Sequence, residues 1–387
     1  MRTPLCWVKT TLGATSFVAA IALTACEDGG AITSSSGMGG SSPVTASGTS
    51  GTSDAASSGA QGSTSSTSTS GSGSGGAGGV PGAWCGPIPA CDAAAPAGND
   101  PTDSPNHRGR DLFLNPGDPQ WILAKFTWGS LADFDYHGED VDIYLNRDCG
   151  TQWEWLGTAV TTNDGDHATV EGVEDTGGRV YFQIPADKEV GLGRHRVRLV
   201  MKSDNSSTEL FIEVVPKGTP VFVSDVDGTL TTDEYAQVGA LFTGTLPDSH
   251  PFAAEVFQKL VAKGYHPFYL TARPEVLGQS TRDFLSQRGF PAGIAHTTLT
   301  KSGATGAEAA TFKSNELAML AQKGMLPTYG FGNTASDAQA YENASISPVD
   351  RRVFYQFDDT SFGGRRIESY EELKAEVDAL PNLCAGP

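Results

Sequence analysis

The sequence is poor in basic residues. It has 26 lysines and arginines against 45 acidic residues, and no lysine or arginine lies between Lys9 and Arg108. A formal charge of −19 leaves no broad basic surface of the kind that follows nucleic-acid phosphates, so no nucleic-acid partner is expected. After residue 26 there is no run of about 18 uncharged apolar residues, so no membrane-spanning helix is predicted there. The six cysteines form neither a CxxC pair nor a cluster with histidines, which disfavours a zinc site.

The first 25 residues have the layout of an export signal. Arg2 and Lys9 precede an apolar stretch over residues 12–25. The stretch ends in the letters LTAC at Cys26, which resembles the lipobox of bacterial lipoproteins, where the signal is cleaved before a cysteine that becomes acylated. We therefore expect residues 1–25 to be a lipoprotein signal peptide and Cys26 to be the lipidation site that anchors the chain in a membrane. An ordinary secretory signal followed by a chance cysteine is the alternative.

A long polar segment follows, and residues 26–83 are interpreted as a disordered tether. Serine, glycine and threonine supply 37 of the 50 residues from Ala31 to Val80, a composition that cannot offset the entropy of ordering. A coil of about 55 residues spans roughly 40 Å, so the tether would hold the folded part away from the membrane. Glu27 is not the aspartate that some bacteria use for inner-membrane retention, which favours the outer membrane of a bacterial cell envelope.

Four cysteines remain beyond the lipidation site. An even number in an exported chain favours disulfides. Sequence leaves open the three pairings of Cys85, Cys91, Cys149 and Cys384. Cys85 and Cys91 bracket a turn-rich loop that a local disulfide could close.

Residues 84–217 carry the signals of β-strands. Segments of alternating or continuous apolar character are separated by turn-forming clusters, at residues 121–127, 141–145, 179–184, 196–200 and 209–214. Short strands at this spacing predict an all-β, immunoglobulin-like sandwich. Trp153 and Trp155 alternate along a strand and are interpreted as core on one face and a semi-buried patch on the other, with a ligand platform as the alternative.

Residues 218–387 alternate between strand and helix patterns. Strands are predicted at 221–224, 265–270, 328–332 and 353–356, and helices at 253–261, 278–287, 307–322, 335–341 and 370–380. This alternation predicts an α/β domain whose parallel sheet is covered on both faces. Ligands of such sheets bind at the carboxyl ends of the strands.

Polar side chains occur at those strand ends and at the helices that follow. The candidates are Asp225, Asp227, Thr229, Thr271, Arg273, Lys313, Asn333 and Asp337. Two acids separated by one residue would point to opposite faces of a strand. Gly228 permits a turn, so that the carboxylates of Asp225 and Asp227 can converge on one pocket.

The order of these groups resembles the motif set of the haloacid dehalogenase superfamily of phosphotransferases. The letters DVDGT at 225–229 correspond to its nucleophile motif, followed by Thr271, Lys313 and the letters GNTASD at 332–337. Within the superfamily the chain is most similar to the lipin phosphatidate phosphatases and their LNS2 domain, from residue 222 to about residue 354. Lipins also combine an immunoglobulin-like sandwich with the phosphatase domain, which agrees with the predicted β domain upstream. The resemblance implies a Rossmann-like parallel sheet, and the spacing between the motifs leaves too few residues for a large cap.

The resemblance implies a phosphoric monoester hydrolase that forms an aspartyl-phosphate. Asp225 would be the nucleophile, and Asp227 would protonate the leaving oxygen and then activate water. Thr229, Thr271, Arg273 and Lys313 would bind the phosphate. Mg²⁺ would be held by Asp225, Asp227 and either Asn333 or Asp337.

Some of these residues have structural alternatives. Thr271 could cap a helix, Lys313 could be a solvated helix residue, and Asn333 could cap the helix that follows it. Arg273 is either a phosphate ligand or a structural ion pair. The chain departs from lipins at Thr334, where they have a basic residue, and it lacks a recognisable amphipathic membrane helix or polybasic tract.

Three functions therefore compete at this stage. The first is hydrolysis of phosphatidate to diacylglycerol, or of a related lipid phosphate, at a membrane surface. The second is phosphomonoester hydrolysis of other exported substrates, and the third is phosphatidate binding without catalysis. The spacing of the motifs leaves too few residues for a large lid, which favours a bulky substrate. Binding modules of this kind tend to lack part of the acidic motif, whereas Asp225 and Asp227 are both present here.

Overall fold

The computed structural model describes residues 87–383, apart from residues 104–105, 130–132, 233–245, 326 and 360. The predicted signal peptide, Cys26 and the tether lie outside the described residues, as do Cys85 and Cys384. Within the described part of the chain, no helix is long and apolar enough to cross a membrane. The described residues all belong to one compact unit. The apolar clusters described below lie entirely after residue 86, so a chain that starts at Gly71 retains them.

The first part of this unit is a β-sandwich. Its strands are β1 (Arg108–Gly109), β2 (Leu112–Leu114), β3 (Trp121–Lys125), β4 (Thr127–Trp128), β5 (Phe134–Asp135), β6 (Asp140–Asn146), β7 (Glu154–Val160), β8 (Arg179–Gln183), β9 (Gly193–Met201) and β10 (Ser207–Val214). One sheet has the order β1-β3-β8 and the other β2-β10-β9-β6-β7, while β4 and β5 form a separate hairpin. Alternate residues of β6, such as Val141 and Ile143, are fully buried in the core, as expected where one face of a strand is covered.

The second part is an α/β domain. Its strands are β11 (Val221–Ser224), β12 (His266–Leu270), β13 (Ile294–His296), β14 (Pro327–Gly332), β15 (Arg352–Tyr355) and β16 (Arg365–Ile367), and its α-helices are α1 (Ala253–Ala262), α2 (Gly278–Gln287), α3 (Gly306–Gln322), α4 (Ala335–Asn343) and α5 (Lys374–Ala379). Short 3₁₀ helices occupy Pro101–Asp103, Arg147–Cys149, Ala186–Lys188, Glu275–Leu277, Val349–Arg351 and Tyr370–Leu373.

The strands of the second part form one sheet with the order β13-β12-β11-β14-β15-β16. Every neighbouring pair is parallel. The prediction of an all-β part followed by an α/β part with a parallel sheet is therefore confirmed. Chain order reverses at β11, because β12 and β13 lie on one side of it and β14 on the other. Ligand crevices open at the carboxyl end of such a switch point.

Strand β11 is buried on both faces. Phe222 packs with Phe257 of α1, whereas Val221 and Val223 belong to a second cluster with Leu317 of α3. Successive side chains of a strand point to opposite faces, so this short apolar run fills both helical layers. Packing on both faces thereby fixes the position of the strand, and with it the position of Asp225 at its carboxyl end.

The sandwich and the α/β domain share apolar and polar contacts. Phe113 of β2 packs edge-on against Phe268 of β12, with ring centroids 6.0 Å apart. The fully buried carboxylate of Asp111 accepts hydrogen bonds from the backbone amides of Phe211, at 2.9 Å, and Ala295, at 3.2 Å. Strands β10 and β13 are thus joined through one side chain.

Cys91 and Cys149 form a disulfide with a Cα–Cα distance of 4.5 Å. This disulfide excludes a local Cys85–Cys91 loop, which is one of the pairings that the sequence leaves open. The prediction that one of the two tryptophans packs in the core is wrong. Trp153 is half-buried beneath the guanidinium of Arg196, and Trp155 is 53% exposed.

Candidate functional site

The candidate site lies at the carboxyl end of β11, where the sequence predicts two carboxylates on a turn. Asp225 directly follows the strand, and its backbone amide donates to the carbonyl of Phe331 in β14 at 2.9 Å. Gly228 has a φ of 69°, a left-handed conformation that glycine adopts without steric cost. The turn brings the hydroxyl of Thr229 back to Asp225 Oδ2, at 3.1 Å.

Lys313 extends from α3 into the buried side of the site. Its Nζ lies 2.7 Å from Asp225 Oδ1 and 2.5 Å from Asp337 Oδ1. The side chain is buried, so the solvated interpretation of Lys313 is wrong. Burial opposes its charge, but the carboxylates of Asp225 and Asp337 outweigh burial and raise the pKa of Lys313. Burial, against the opposing charge of Lys313, raises the pKa of Asp225 to about 7.

Asp337 is held by the start of helix α4. Its Oδ2 accepts hydrogen bonds from the amides of Asn333 and Thr334, at 3.2 and 3.1 Å, and from the Thr334 hydroxyl, at 2.7 Å. The N-cap of α4 is Thr334, within a capping box that includes Asp337, so the interpretation of Asn333 as the cap is wrong. A Cβ on Gly332 would clash with the Asp337 side chain, which explains the glycine at this close approach.

Asp227 faces the opposite side of the site, toward the end of β12. Its Oδ2 accepts hydrogen bonds from Thr271 Oγ1, at 3.1 Å, and Arg273 Nε, at 2.7 Å, and its Oδ1 accepts from Arg273 Nη2 at 2.6 Å. Thr271 is not a helix cap, since the next helix begins at Glu275 after Pro274. The Asp227 side chain is 26% exposed, compared with 7% for Asp225. One carboxylate is therefore buried beside a lysine and the other is accessible beside an arginine.

The oxygen atoms between β11 and β14 fit a hard divalent cation. Thr229 Oγ1 lies 3.1 Å from Asp225 Oδ2 and 3.0 Å from Asn333 Oδ1, so a carboxylate, an amide and a hydroxyl oxygen lie close together. Carboxylate, amide and hydroxyl oxygens are the donor types that Mg²⁺ takes in proteins. Of the two alternative ligands, Asn333 lies beside Thr229 with Asp225, whereas Asp337 pairs with Lys313 on the buried side of the site.

The described part of the chain contains no group of three or more His, Cys, Asp or Glu side chains that could hold a metal. The donor set at β11 and β14 is a mixed one, in which the amide oxygen of Asn333 takes the place of a further carboxylate. Asp225 would supply the carboxylate oxygen of such a set. The residues present therefore fit a weakly charged site of the type Mg²⁺ occupies together with waters and a phosphate.

Two buried acids near the site were missed in the sequence. Glu275, two residues after Arg273, pairs with Arg179 Nη1 at 2.9 Å and with Arg108 Nε at 3.2 Å, both from the sandwich. Burial opposes its charge, but the two guanidinium groups outweigh burial and lower the pKa of Glu275. The loop that carries Thr271 and Arg273 is thereby fastened to the β-sandwich.

Glu316, three residues after Lys313 on helix α3, connects that helix to the β-sandwich in the same way. It accepts from Arg110 Nη2 at 2.5 Å and faces His296 Nδ1 at 2.6 Å. Burial opposes its ionisation, but Arg110 and His296 lower the pKa of Glu316 to about 2. Arg110 and Glu316 are 206 residues apart, so no local pattern in the sequence could have identified this pair.

Two family models cover both parts of the unit. Residues 222–355 match the LNS2 domain of PITM 1-3. Residues 105–214 match the beta-sandwich domain of the same proteins. The predicted resemblance to an LNS2 domain behind a β-sandwich is confirmed by these matches.

Curated relatives match parts of the chain, and several of them are named as membrane-associated phosphatidylinositol transfer proteins. "Protein retinal degeneration B" from Drosophila melanogaster is 30% identical over 190 residues, which cover 49% of this chain and 14% of that protein. Human "Membrane-associated phosphatidylinositol transfer protein 2" is 28% identical over 247 residues, covering 63% of this chain and 16% of the relative. The chain thus spans less than a fifth of the length of either relative. Among solved structures, a superoxide reductase from Ignicoccus hospitalis has a TM-score of 0.18 at 10% identity, covering 29% of this chain and 80% of that one.

Proposed function

We propose that the chain is a Mg²⁺-dependent phosphatase of the haloacid dehalogenase type that acts on phosphatidate or a related lipid phosphate. The observation that carries this proposal is the pair of carboxylates Asp225 and Asp227 in unlike surroundings. Asp225 is buried beside Lys313, and Asp227 is accessible beside Thr271 and Arg273. Lys313 beside Asp225 compensates the charge of an attacking carboxylate. The more accessible Asp227 takes the role of proton donor that the resemblance implies.

In the first step an oxygen of Asp225 attacks phosphorus, and the bond from phosphorus to the ester oxygen breaks. Asp227 gives its proton to the departing oxygen, which leaves as the alcohol. The phosphoryl group remains on Asp225 as an aspartyl-phosphate. Lys313 compensates the negative charge of Asp225 and of the approaching phosphate, because its Nζ lies within 2.7 Å of the nucleophile.

In the second step a water molecule attacks the phosphoryl group and gives a proton to Asp227. The bond from phosphorus to Asp225 breaks, so inorganic phosphate leaves and both carboxyl groups return to their starting states. Thr271 would hydrogen-bond a phosphoryl oxygen from its position beside Asp227, which its hydroxyl contacts at 3.1 Å. Bound Mg²⁺, held by Asp225, the Asp227 backbone and Asn333, would neutralise phosphate charge in both steps.

A lipid substrate is supported by the relatives, whose names describe membrane-associated phosphatidylinositol transfer. The predicted acylation of Cys26 and the tether of residues 26–83 would keep the domain near a bacterial envelope membrane. Phosphatidate is a phosphate monoester at a membrane surface, which the two-step chemistry can hydrolyse to diacylglycerol.

The transfer proteins among the relatives support a second candidate, lipid binding without turnover. In that case Asp225 and Lys313 would form part of a headgroup pocket and no phosphate would be released. A phosphatase for other exported phosphomonoesters is the third candidate, and an acidic protein of charge −19 would be compatible with it.

The deciding experiment measures phosphate release by residues 71–387, with Mg²⁺ or with EDTA. Phosphatidate in mixed micelles is compared with a soluble aryl phosphate. Asp225→Asn removes the nucleophile, and Asp378→Asn makes the same chemical change at an exposed carboxylate that pairs with Lys259. Mg²⁺-dependent release from phosphatidate, lost in Asp225→Asn and retained in Asp378→Asn, is expected.

Hydrolysis of the aryl phosphate alone would retain the chemistry and contradict the lipid substrate. Binding of phosphatidate without release of phosphate would contradict catalysis and favour the binding module.

A further inference from the structure

The β4–β5 hairpin exposes two large aromatic side chains. Trp128 is 51% exposed and Phe134 is 50% exposed. The two residues face each other across the hairpin, and their rings are 4.7 Å apart. Paired aromatics on a protein surface leave apolar area in water and mark places where another apolar phase or partner is met. We call Trp128 and Phe134 the aromatic patch.

The aromatic patch is fixed to the edge of the sheet where the candidate site lies. Asp133, next to Phe134, forms a two-point ion pair with Arg108, with distances of 2.7 and 2.9 Å. Arg108 Nε also contacts Glu275, at 3.2 Å, in the loop that carries Arg273. Two buried contacts therefore connect the hairpin to the residues that hold Asp227.

A cation lies beside the same hairpin. Lys301 belongs to the loop after β13, another carboxyl end of the parallel sheet, and its Nζ donates to the Asp133 carbonyl at 2.6 Å. Its side chain is 59% exposed. An exposed lysine next to two exposed aromatics combines the side chains that meet the headgroup and interfacial layers of a bilayer.

We propose that the aromatic patch inserts into the interfacial layer of a phospholipid bilayer and presents the site of Asp225 and Asp227 to a phosphate at the membrane surface. This inference deepens the proposed function and rests on it for the substrate. Anionic lipid would repel a chain of charge −19. Insertion of Trp128 and Phe134 does not depend on lipid charge, so it does not require an anionic membrane. Trp and Tyr concentrate at membrane interfaces because one part of the ring system is apolar and another part can contact water.

The test measures co-flotation of residues 71–387 with phosphatidylcholine vesicles, with and without a small fraction of phosphatidate. This chain lacks Cys26, so an acyl anchor cannot contribute. The variant Trp128→Thr/Phe134→Thr removes the patch and keeps good strand formers in the hairpin. Trp155→Thr is the matched control, because Trp155 is 53% exposed on β7.

We expect the double variant to bind vesicles at least about tenfold more weakly than the parent, since two aromatic side chains leave the interface. The parent should bind vesicles of phosphatidylcholine alone and should retain that binding in high salt. Trp155→Thr should bind like the parent, and all three proteins should show the same thermal unfolding.

Binding is measured in EDTA, so it is independent of catalysis. A parent that floats with vesicles but hydrolyses nothing would support the patch and contradict the proposed phosphatase. A parent that hydrolyses micellar phosphatidate, but whose double variant floats equally well, would contradict the patch alone. The role of the patch is also contradicted if Trp155→Thr loses as much vesicle binding as the double variant does. It is contradicted as well if the parent does not bind vesicles and instead forms dimers that the double variant abolishes.

Discussion

The guanidinium of Arg273 clasps the carboxylate of Asp227 with two hydrogen bonds, Nε to Oδ2 at 2.7 Å and Nη2 to Oδ1 at 2.6 Å. Its third nitrogen, Nη1, donates to Thr281 of α2 at 2.8 Å. Two parallel bonds from a planar group fix the orientation of a carboxylate as well as its position. Arg273 thus fixes the orientation of Asp227, the proposed proton donor. Of the two interpretations of Arg273, phosphate ligand or structural ion pair, this contact corresponds to the ion pair.

Arg273→Lys should impair turnover more than it impairs folding. Lysine retains the charge but lacks the planar fork, so Asp227 would lose its fixed orientation. We expect kcat on a soluble aryl phosphate to fall by about tenfold or more, with a smaller change in KM. Arg288→Lys is the control, because Arg288 lies on the surface and pairs with the exposed Asp248. Equal kcat values for Arg273→Lys and the parent would contradict the orienting role.

Lys313→Met should destabilise the fold strongly. The substitution keeps the length of the side chain but leaves Asp225 and Asp337 as two buried carboxylates without their shared cation. Removing one partner from a buried ion pair costs about 3–5 kcal/mol. Urea unfolding at pH 7 measures the loss, and Lys259→Met, at an exposed ion pair, should cost less than about 1 kcal/mol.

The charge argument for Lys313 has its own check. Combining Lys313→Met with Asp225→Asn removes one of the two carboxylates, so the double variant should be more stable than Lys313→Met alone. A double variant that is less stable than Lys313→Met would show that lost packing, rather than uncompensated charge, dominates.

Much of the order of elements in the α/β part could be predicted, because four of its strands contain short apolar runs that alternate with helical segments. Strand β11 and helix α2 have the predicted bounds, and the remaining predicted helices differ by a few residues at their ends. Strands β13 and β16 were missed, since β13 includes His296 and two of the three residues of β16 are arginines, so that neither presents an apolar run. Strand β7 was missed because Gly157 and polar residues interrupt its alternation.

The convergence of the two carboxylates could be predicted because it depends on residues that are neighbours in the chain. Asp225, Asp227 and Gly228 form a turn that the adjacent letters determine. The second layer of the site was not predictable, because Glu275 and Glu316 meet arginines of a different domain. Glu275 and Arg179 lie 96 residues apart, and only the packing of β-sandwich against parallel sheet brings them together.

Glu275→Gln should test whether the sandwich positions the loop of Thr271 and Arg273. Glutamine has no negative charge and only one acceptor oxygen, so it would leave the two buried guanidinium groups of Arg108 and Arg179 underpaired. We expect kcat to fall severalfold while Mg²⁺ dependence is unchanged, together with a stability loss of about 2–4 kcal/mol.

Glu275→Asp keeps the negative charge and should recover part of the lost kcat. If Glu275 only stabilised the fold, kcat would not change separately from the unfolding free energy. The positioning role of Glu275 is contradicted if Glu275→Gln lowers stability but leaves kcat at the parental value at a temperature where both proteins are folded.

Glu316 should make the stability of the unit depend on acid pH. Its pKa is lowered to about 2 in the folded chain, below the ordinary value of 4.5, by Arg110 and His296. The stabilisation is therefore complete above about pH 4.5 and is lost as the pH falls toward 2, with a size of roughly 3 kcal/mol. Glu316→Gln should lower the unfolding free energy by this amount at pH 7 and by much less at pH 3, as measured by urea unfolding.

Glu308→Gln, at an exposed site on the same helix, should change the unfolding free energy by less than about 0.5 kcal/mol at both pH values. A difference between Glu316→Gln and the parent that stays constant from pH 7 to pH 3 would show that shape, rather than charge, makes Glu316 necessary.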